Sequence, residues 1–260
     1  TKPKTENAPE PEAPDPLADF DPRQIPALDL RIAHVFQGDD DMGTWSLKAR
    51  PDAQGVQFSD PPTSAAPLVC DACSSLLSKP IDIARHGLVY AAAQKNMGVA
   101  GLTVVIVDPA LLQRAHAFTP DILNYARISD ARSMLNTPAT YPWYLTGLTL
   151  KWIKRSGGLH ALHQRNQTKA SLLYSVIDAS EGFYRNPVQA PYRSINNVPF
   201  RLADPVLEAA FLRQAEEAGL HGLKGHASVG GLRASLYNAV SVDAVAALCA
   251  FMQAFARRQG

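Results

Sequence analysis

The stretch 87–107 constrains this chain more than any other. An apolar run, Gly87-Leu88-Val89-Tyr90, leads into Ala91-Ala92-Ala93-Gln94-Lys95-Asn96-Met97-Gly98-Val99-Ala100-Gly101, and a second apolar run, Leu102-Thr103-Val104-Val105-Ile106-Val107, follows. Short apolar runs bounded by glycine read as buried strands. The segment between them is built of small residues and carries one lysine. A lysine at the mouth of a buried sheet is unusual, because an ammonium is costly to desolvate and burial lowers the pKa of a lysine. A neutral amine is what a carbonyl-trapping lysine requires. Lys95 is therefore a candidate Schiff-base lysine. The bland alternative is a surface lysine closing a strand end.

Upstream, Pro67-Leu68-Val69-Cys70 reads as a short strand that ends at Asp71. Asp71 and Lys95 then fall at the carboxyl ends of strands one crossover apart, where open α/β sheets bind their ligands. Pyridoxal phosphate needs this pair. The lysine holds it covalently, and a carboxylate against the pyridine nitrogen keeps that nitrogen protonated, so that the ring can draw electrons. The alternative for Asp71 is a turn former at a strand end.

Charge and composition exclude several other classes. The net charge is +1 over 260 residues and neither sign forms long runs, which argues against a nucleic-acid or membrane surface as main partner. The longest apolar stretch, 99–107, is too short to span a bilayer. No basic segment followed by an apolar one marks a secretory signal. Three cysteines, Cys70, Cys73 and Cys249, are too few for a disulfide framework and fit a reducing cytoplasm. Cys70-Asp71-Ala72-Cys73 matches a C-x-x-C spacing, but lacks the second ligand pair of a zinc site and the strand-to-helix setting of a redox pair. His160 and His163 fall on one face of an expected helix and read as solvated.

The chain divides by composition. Residues 1–25 are rich in Pro, Glu and Asp and are expected to be disordered. Within 26–65, Leu28 to Phe36 and Gly55-Val56-Gln57-Phe58 could be strands, with a solvated loop at Gly38-Asp39-Asp40-Asp41-Met42-Gly43. From residue 66 the apolar strands with intervening helical stretches suggest a sheet covered on both faces, and Pro109 is expected to start a helix. Tyr141 to Ser156 carries Trp143, Leu145, Leu148 and Trp152 at helical spacing, a stripe expected to be core. A long amphipathic helix is expected from Gly158 to Ile177. Then come a strand over Val198-Pro199-Phe200-Arg201-Leu202, a helix opened by Asp204-Pro205, glycine-interrupted strands between Gly222 and Tyr237, and a final helix from Ser241-Val242-Asp243.

These residues resemble the phosphoserine aminotransferase family, class-V pyridoxal-phosphate enzymes of fold type I. The resemblance begins at Ala92-Ala93-Gln94-Lys95-Asn96-Met97-Gly98. It continues in order through Ser133-Met134-Leu135-Asn136-Thr137-Pro138, Phe183-Tyr184-Arg185-Asn186, Asn197-Val198-Pro199-Phe200, Leu223-Lys224-Gly225-His226 and Gly230-Gly231-Leu232-Arg233-Ala234-Ser235-Leu236-Tyr237-Asn238-Ala239. It implies an α/β fold: a truncated large domain with a mainly parallel sheet over residues 26–155, then a small C-terminal α/β domain over 156–260. It implies Lys95 as the Schiff-base lysine, Asp71 as the pyridinium partner and Gln94 as a cofactor-phosphate ligand. Asn136 and Thr137 would reach the cofactor phosphate of a second subunit in a homodimer. Arg233 would grip the substrate α-carboxylate, and His226 would help to bind the substrate phosphate. The reaction implied is amino transfer between L-glutamate and 3-phosphohydroxypyruvate, a phosphorylated 2-oxo acid. The family also works in pyridoxine biosynthesis.

The sequence departs from the family pattern in three places. Family members are longer at the N-terminus, and the Gly-Gly-Ala phosphate cup and ring-stacking aromatic found there have no counterpart here. Before Gly55, where the family places Asn-Glu-Thr, the chain reads Arg50-Pro51-Asp52-Ala53-Gln54. After His226, where a second basic residue is usual, stands Ala227, so Ala227→Arg is expected to tighten binding of a phosphorylated substrate. Three readings follow: an active phosphoserine aminotransferase, a relative of altered specificity, and an impaired remnant that folds or dimerises.

Overall fold

The computed structural model describes the backbone of five strands between residues 28 and 58, and residues 66–225 and 230–259 throughout. The expected disorder of 1–25, and His226 and Ala227, lie outside the described residues. In the N-terminal part, β1 (Leu28–Ile32), β4 (Trp45–Asp52) and β5 (Gly55–Phe58) form an antiparallel sheet in the order β1-β4-β5. Between the first two, β2 (Phe36–Gln37) pairs with β3 (Asp40–Asp41). The sequence suggested strands around β1 and β5. It did not show the long central β4, and it read Asp40 and Asp41 as loop.

The central sheet has the order β6-β7-β8, from β6 (Val69–Asp71), β7 (Leu88–Ala92) and β8 (Thr103–Val107). The expected mainly parallel sheet is mixed over these strands: β6 and β7 run parallel, β7 and β8 antiparallel. The reason is chain length. A parallel return needs a crossover of about a dozen residues or more. The segment 72–87 provides one, whereas 93–102 closes a hairpin-like loop, with Ala93 N donating to Leu102 O at 2.9 Å. Coverage among the described residues is uneven. Val89 and Ala91 of β7 pack with Ala72, Leu76, Ala93 and Met97, while Val69 is 66% exposed and Ile106 36%. Gly101 is required where it stands. Its φ is 111°, and a Cβ there would meet Pro142 Cγ at 3.0 Å.

A helical block follows: α1 (Tyr125–Asp130), α2 (Thr140–Arg155) and α3 (Gly158–Asp178). Pro109 opens only a single 3-10 turn, Pro109–Leu111, capped by Asp108. The apolar stripe of α2 is not core. Its buried positions are Thr146 and Ile153, whereas Trp143 is 41% exposed and Leu148 39%. Helical spacing specifies an apolar face, but not what covers it.

The C-terminal region is built on a second, separate apolar cluster. β10 (Asn197–Leu202) lies between β9 (Tyr184–Arg185) and β11 (Leu232–Ser235), all antiparallel. The several strands expected between Gly222 and Tyr237 reduce to β11 and one bridge, Lys224 to Leu232. α3, α4 (Leu207–Glu217) and α5 (Val242–Gln259) bury their apolar faces with these strands around Phe200, Phe211, Met252 and Phe255. Phe211 and Phe255 meet edge to face at 5.1 Å, and the buried Tyr184 hydroxyl donates to Met252 O at 2.8 Å. At the start of α5 the Ser241 hydroxyl accepts from Ala244 N at 3.1 Å, the expected cap. Ser241→Ala is expected to cost about 1 kcal/mol in urea unfolding; an unchanged midpoint would show that the cap contributes nothing.

Candidate active site

Lys95 and Asp71 lie at one edge of the central sheet and are linked through the turn that follows Asp71. Asp71 ends β6, in register with Tyr90 of the parallel β7. Lys95 lies in the loop that leaves the same end of β7, and is half-buried. Its Nζ donates to Ser74 Oγ at 2.6 Å. Ser74 belongs to the turn directly after Asp71, which begins with Cys73 N donating to Asp71 Oδ1 at 2.9 Å. The parallel pairing of β6 and β7 thus brings both strand ends, and both turns, to one edge of the sheet.

The electrostatics suit a carboxylate that must stay charged. The Cys73 thiol and backbone N–H hold the Asp71 carboxyl below its usual range, and the Tyr90 hydroxyl and the Lys95 ammonium add to the effect. The same bond to Asp71 pushes the Tyr90 phenol up. Cys73 is fixed in turn by Ala92 N, which donates to its Sγ at 3.2 Å. The cysteine pair of the C-x-x-C spacing is free, and burial raises the Cys70 thiol.

Other expected site residues are spread more widely. Gln94 is exposed beside Lys95. Asn136 and Thr137 are exposed in the loop before α2, where Asn136 Nδ2 donates to Thr137 O at 3.2 Å. Among the described residues no hydrogen bond ties that pair to Lys95 or Asp71. Arg233 stands on β11 opposite Pro199, with its backbone N donating to Leu223 O at 2.8 Å. Its Nε is buried and has no hydrogen-bond partner among the described residues. A buried guanidinium donor without an acceptor is costly, and a bound carboxylate would relieve it.

These residues fit pyridoxal phosphate. An amine, an ionised carboxylate and an open carboxamide share one sheet edge, the donor set that such a group needs. Sequence reasoning missed Ser74, Cys73 and Tyr90. The parallel register of Asp71 with Tyr90 could have indicated the last of them, but register requires the pairing to be known.

Comparison with known proteins gives the family. Residues 62–248 match the family Aminotransferase class-V. The chain is similar to phosphoserine aminotransferase of Acinetobacter baumannii (strain ACICU), 54% identical over 206 residues, covering 79% of this chain and 57% of that protein. It is 55% identical over 207 residues to phosphoserine aminotransferase of Pseudomonas aeruginosa PAO1, with the same shares covered. Among solved structures, phosphoserine aminotransferase from Bacillus circulans subsp. alkalophilus superposes with a TM-score of 0.76 at 46% identity, covering 80% of this chain and 58% of that one. Phosphoserine aminotransferase from Trichomonas vaginalis, with PLP bound, gives 0.71 at 38% identity, covering 77% and 57%. The chain thus spans 57% of the length of the curated relatives it matches. With the match covering most of its length, the chain belongs to the class-V aminotransferase family.

Proposed function

We propose that this chain carries the cofactor-lysine part of a phosphoserine aminotransferase, using pyridoxal 5'-phosphate to move an amino group between L-glutamate and 3-phosphohydroxypyruvate. The observation that carries this reading is the placement of the Lys95 amine 2.6 Å from Ser74 Oγ, beside an ionised Asp71. When bound, the cofactor supplies an electron sink for negative charge developing at the amino-acid Cα. Lys95 Nζ takes the Cα proton once it is free of its covalent role. Ser74 orients that amine. Asp71 stays ionised to pair with the ring nitrogen. Arg233 holds the α-carboxylate through its guanidinium, whose Nε has no partner among the described residues.

Gln94, Asn136 and Thr137 are assigned to cofactor phosphate and His226 to substrate phosphate, on the likeness to the family. The products are O-phospho-L-serine and 2-oxoglutarate. A homodimer is supported by the exposed apolar residues of α2, Tyr141, Trp143, Tyr144, Leu148 and Leu150, since a surface of this kind marks an interface. The division into a partial large domain, 26–155, and a small domain, 156–260, is supported by the two separate apolar clusters. A cytoplasmic location accords with the free cysteines. No described helix is long and apolar enough to cross a membrane.

Addition of L-glutamate to the pyridoxal-phosphate-loaded chain should release 2-oxoglutarate in proportion to bound cofactor. A loaded chain that releases none would overturn the transaminase reading. Arg233→Lys keeps the charge but loses the planar fork, and should weaken L-glutamate binding by about tenfold or more, leaving cofactor absorbance unchanged. Equal affinity in that variant would remove Arg233 from the carboxylate site.

A further inference from the structure

Three buried asparagines join the segments that carry Asp71, Lys95 and Arg233. Asn96 directly follows Lys95 and is 4% exposed. Its Nδ2 donates to Ser74 O at 3.2 Å and Leu76 O at 3.1 Å, holding the turn after Asp71. Its Oδ1 accepts from Asn238 N at 3.1 Å, on the segment that continues from Arg233. Asn238 Nδ2 donates to Leu77 O at 2.9 Å. Asn166 of α3 closes the cluster, its Nδ2 donating to Asn238 Oδ1 at 2.8 Å and Ser78 O at 2.9 Å.

These bonds are tertiary. They link residues far apart in sequence, so local turn formation does not explain them. Stability alone is a weak reason for them as well. Buried amides gain little over apolar packing of the same shape, and Asn166 Oδ1 is left without a partner. A network of directional bonds does specify one alignment, which apolar contacts specify less sharply. On the function proposed above, the alignment that matters is between the Lys95 amine, which moves the Cα proton, and Arg233, which grips the carboxylate of the same amino acid. A displacement of about 1 Å can cost about a hundredfold in rate.

We propose that Asn96, Asn166 and Asn238 are positioning residues that set the Arg233 strand in register with the Lys95 loop. This inference rests on the functional reading above. Asn238→Ala removes the bonds to Asn166 and Leu77 and leaves Lys95, Asp71 and Arg233 unsubstituted. Asn166→Ala removes the 2.8 Å bond from the other side and serves if the first variant folds poorly.

Three quantities are read: the visible absorption band formed with pyridoxal phosphate, the Kd for L-glutamate from its effect on that band, and amide hydrogen exchange without cofactor. The band should form as in the unsubstituted chain. The Kd should weaken by about tenfold, with the effects of Asn238→Ala and Arg233→Lys less than additive. Exchange should rise together at Asn96, Met97 and residues 233–238. A Kd within about twofold of the unsubstituted chain, with the band intact, overturns the positioning role alone. Faster exchange confined to 236–240 does the same. Absence of the band from the unsubstituted chain overturns the functional reading, and this proposal with it.

Discussion

Lys95→Ala is expected to abolish the visible absorption band that the unsubstituted chain forms with pyridoxal phosphate, and to lower transamination by at least about a thousandfold. The size of the effect follows from the two duties placed on one amine. On the proposed function it would hold the cofactor covalently and later carry the Cα proton; no other amine is hydrogen-bonded to Ser74 or Asp71 among the described residues. The fold should tolerate the change. Lys95 is half-buried and among the described residues its side chain makes a single hydrogen bond, to Ser74 Oγ, so the stability should change by no more than about 1 kcal/mol. Absorbance titration and urea unfolding of the same preparation separate the two effects. A retained band would assign the cofactor to another amine, and a large loss of stability would make Lys95 a structural residue first.

Lys169→Met is expected to have the largest effect on stability. Lys169 is the one charged residue fully buried among the described residues. Its Nζ donates to Leu236 O and Tyr237 O, each at 2.9 Å, and to Val240 O at 3.0 Å. No carboxylate faces it in these bonds; the loop between β11 and α5 binds it through carbonyls. Methionine fills similar volume but orphans those acceptors, which should cost about 3–5 kcal/mol.

The pH dependence tests the physical balance at this site. Burial, with the Arg165 guanidinium as a like charge, lowers the Lys169 pKa from 10.5 to about 8. The unfolded chain then binds more protons than the folded one between these values, so stability from this group is fully present above 10.5 and is lost as pH falls through about 8. The gap between the unsubstituted chain and Lys169→Met should therefore widen on going from about pH 7.5 to about pH 10, by about 2 kcal/mol. Urea unfolding at both values measures it. A gap that narrows would mean that the three carbonyls stabilise the ammonium by more than burial penalises it.

The placement of Asp71 and Lys95 at strand ends was legible in the sequence. Lys95 in a small-residue loop between apolar runs, and Asp71 at the end of the preceding run, required only periodicity and the chemistry of a carbonyl-trapping amine. Local signals placed the start of α5 at Ser241, whereas α4 begins at Leu207, past the Asp204-Pro205 pair expected to open it, because Asp204 Oδ1 accepts from Val206 N and closes a turn instead. Partnerships set by long-range pairing were not legible. Nothing local marks Ser74, yet among the described residues it carries the only side-chain hydrogen bond of Lys95. Lys169 read as part of an amphipathic helix, because a buried lysine and a solvated one have the same periodicity. Trp143 and Leu148 read as core, because a stripe of apolar residues looks the same whether its own chain or another surface covers it.

The sequence by itself determined the elements and the chemistry they carry: apolar strands that end at Asp71 and Lys95, a glycine-bounded lysine loop, and a series of motifs in the order of one enzyme family. These are local, because propensity, capping and periodicity act over a few residues. Only the tertiary structure decided that β8 returns antiparallel, that Ser74 meets the Lys95 amine, and that Asn96 reaches the segment beyond Arg233. Each depends on which backbone groups come to face one another across the sheet and between the two apolar clusters. That is settled by global packing and hydrogen-bond satisfaction, which no short stretch of sequence encodes. The lysine loop is therefore a local signal whose function depends on residues far from it in sequence.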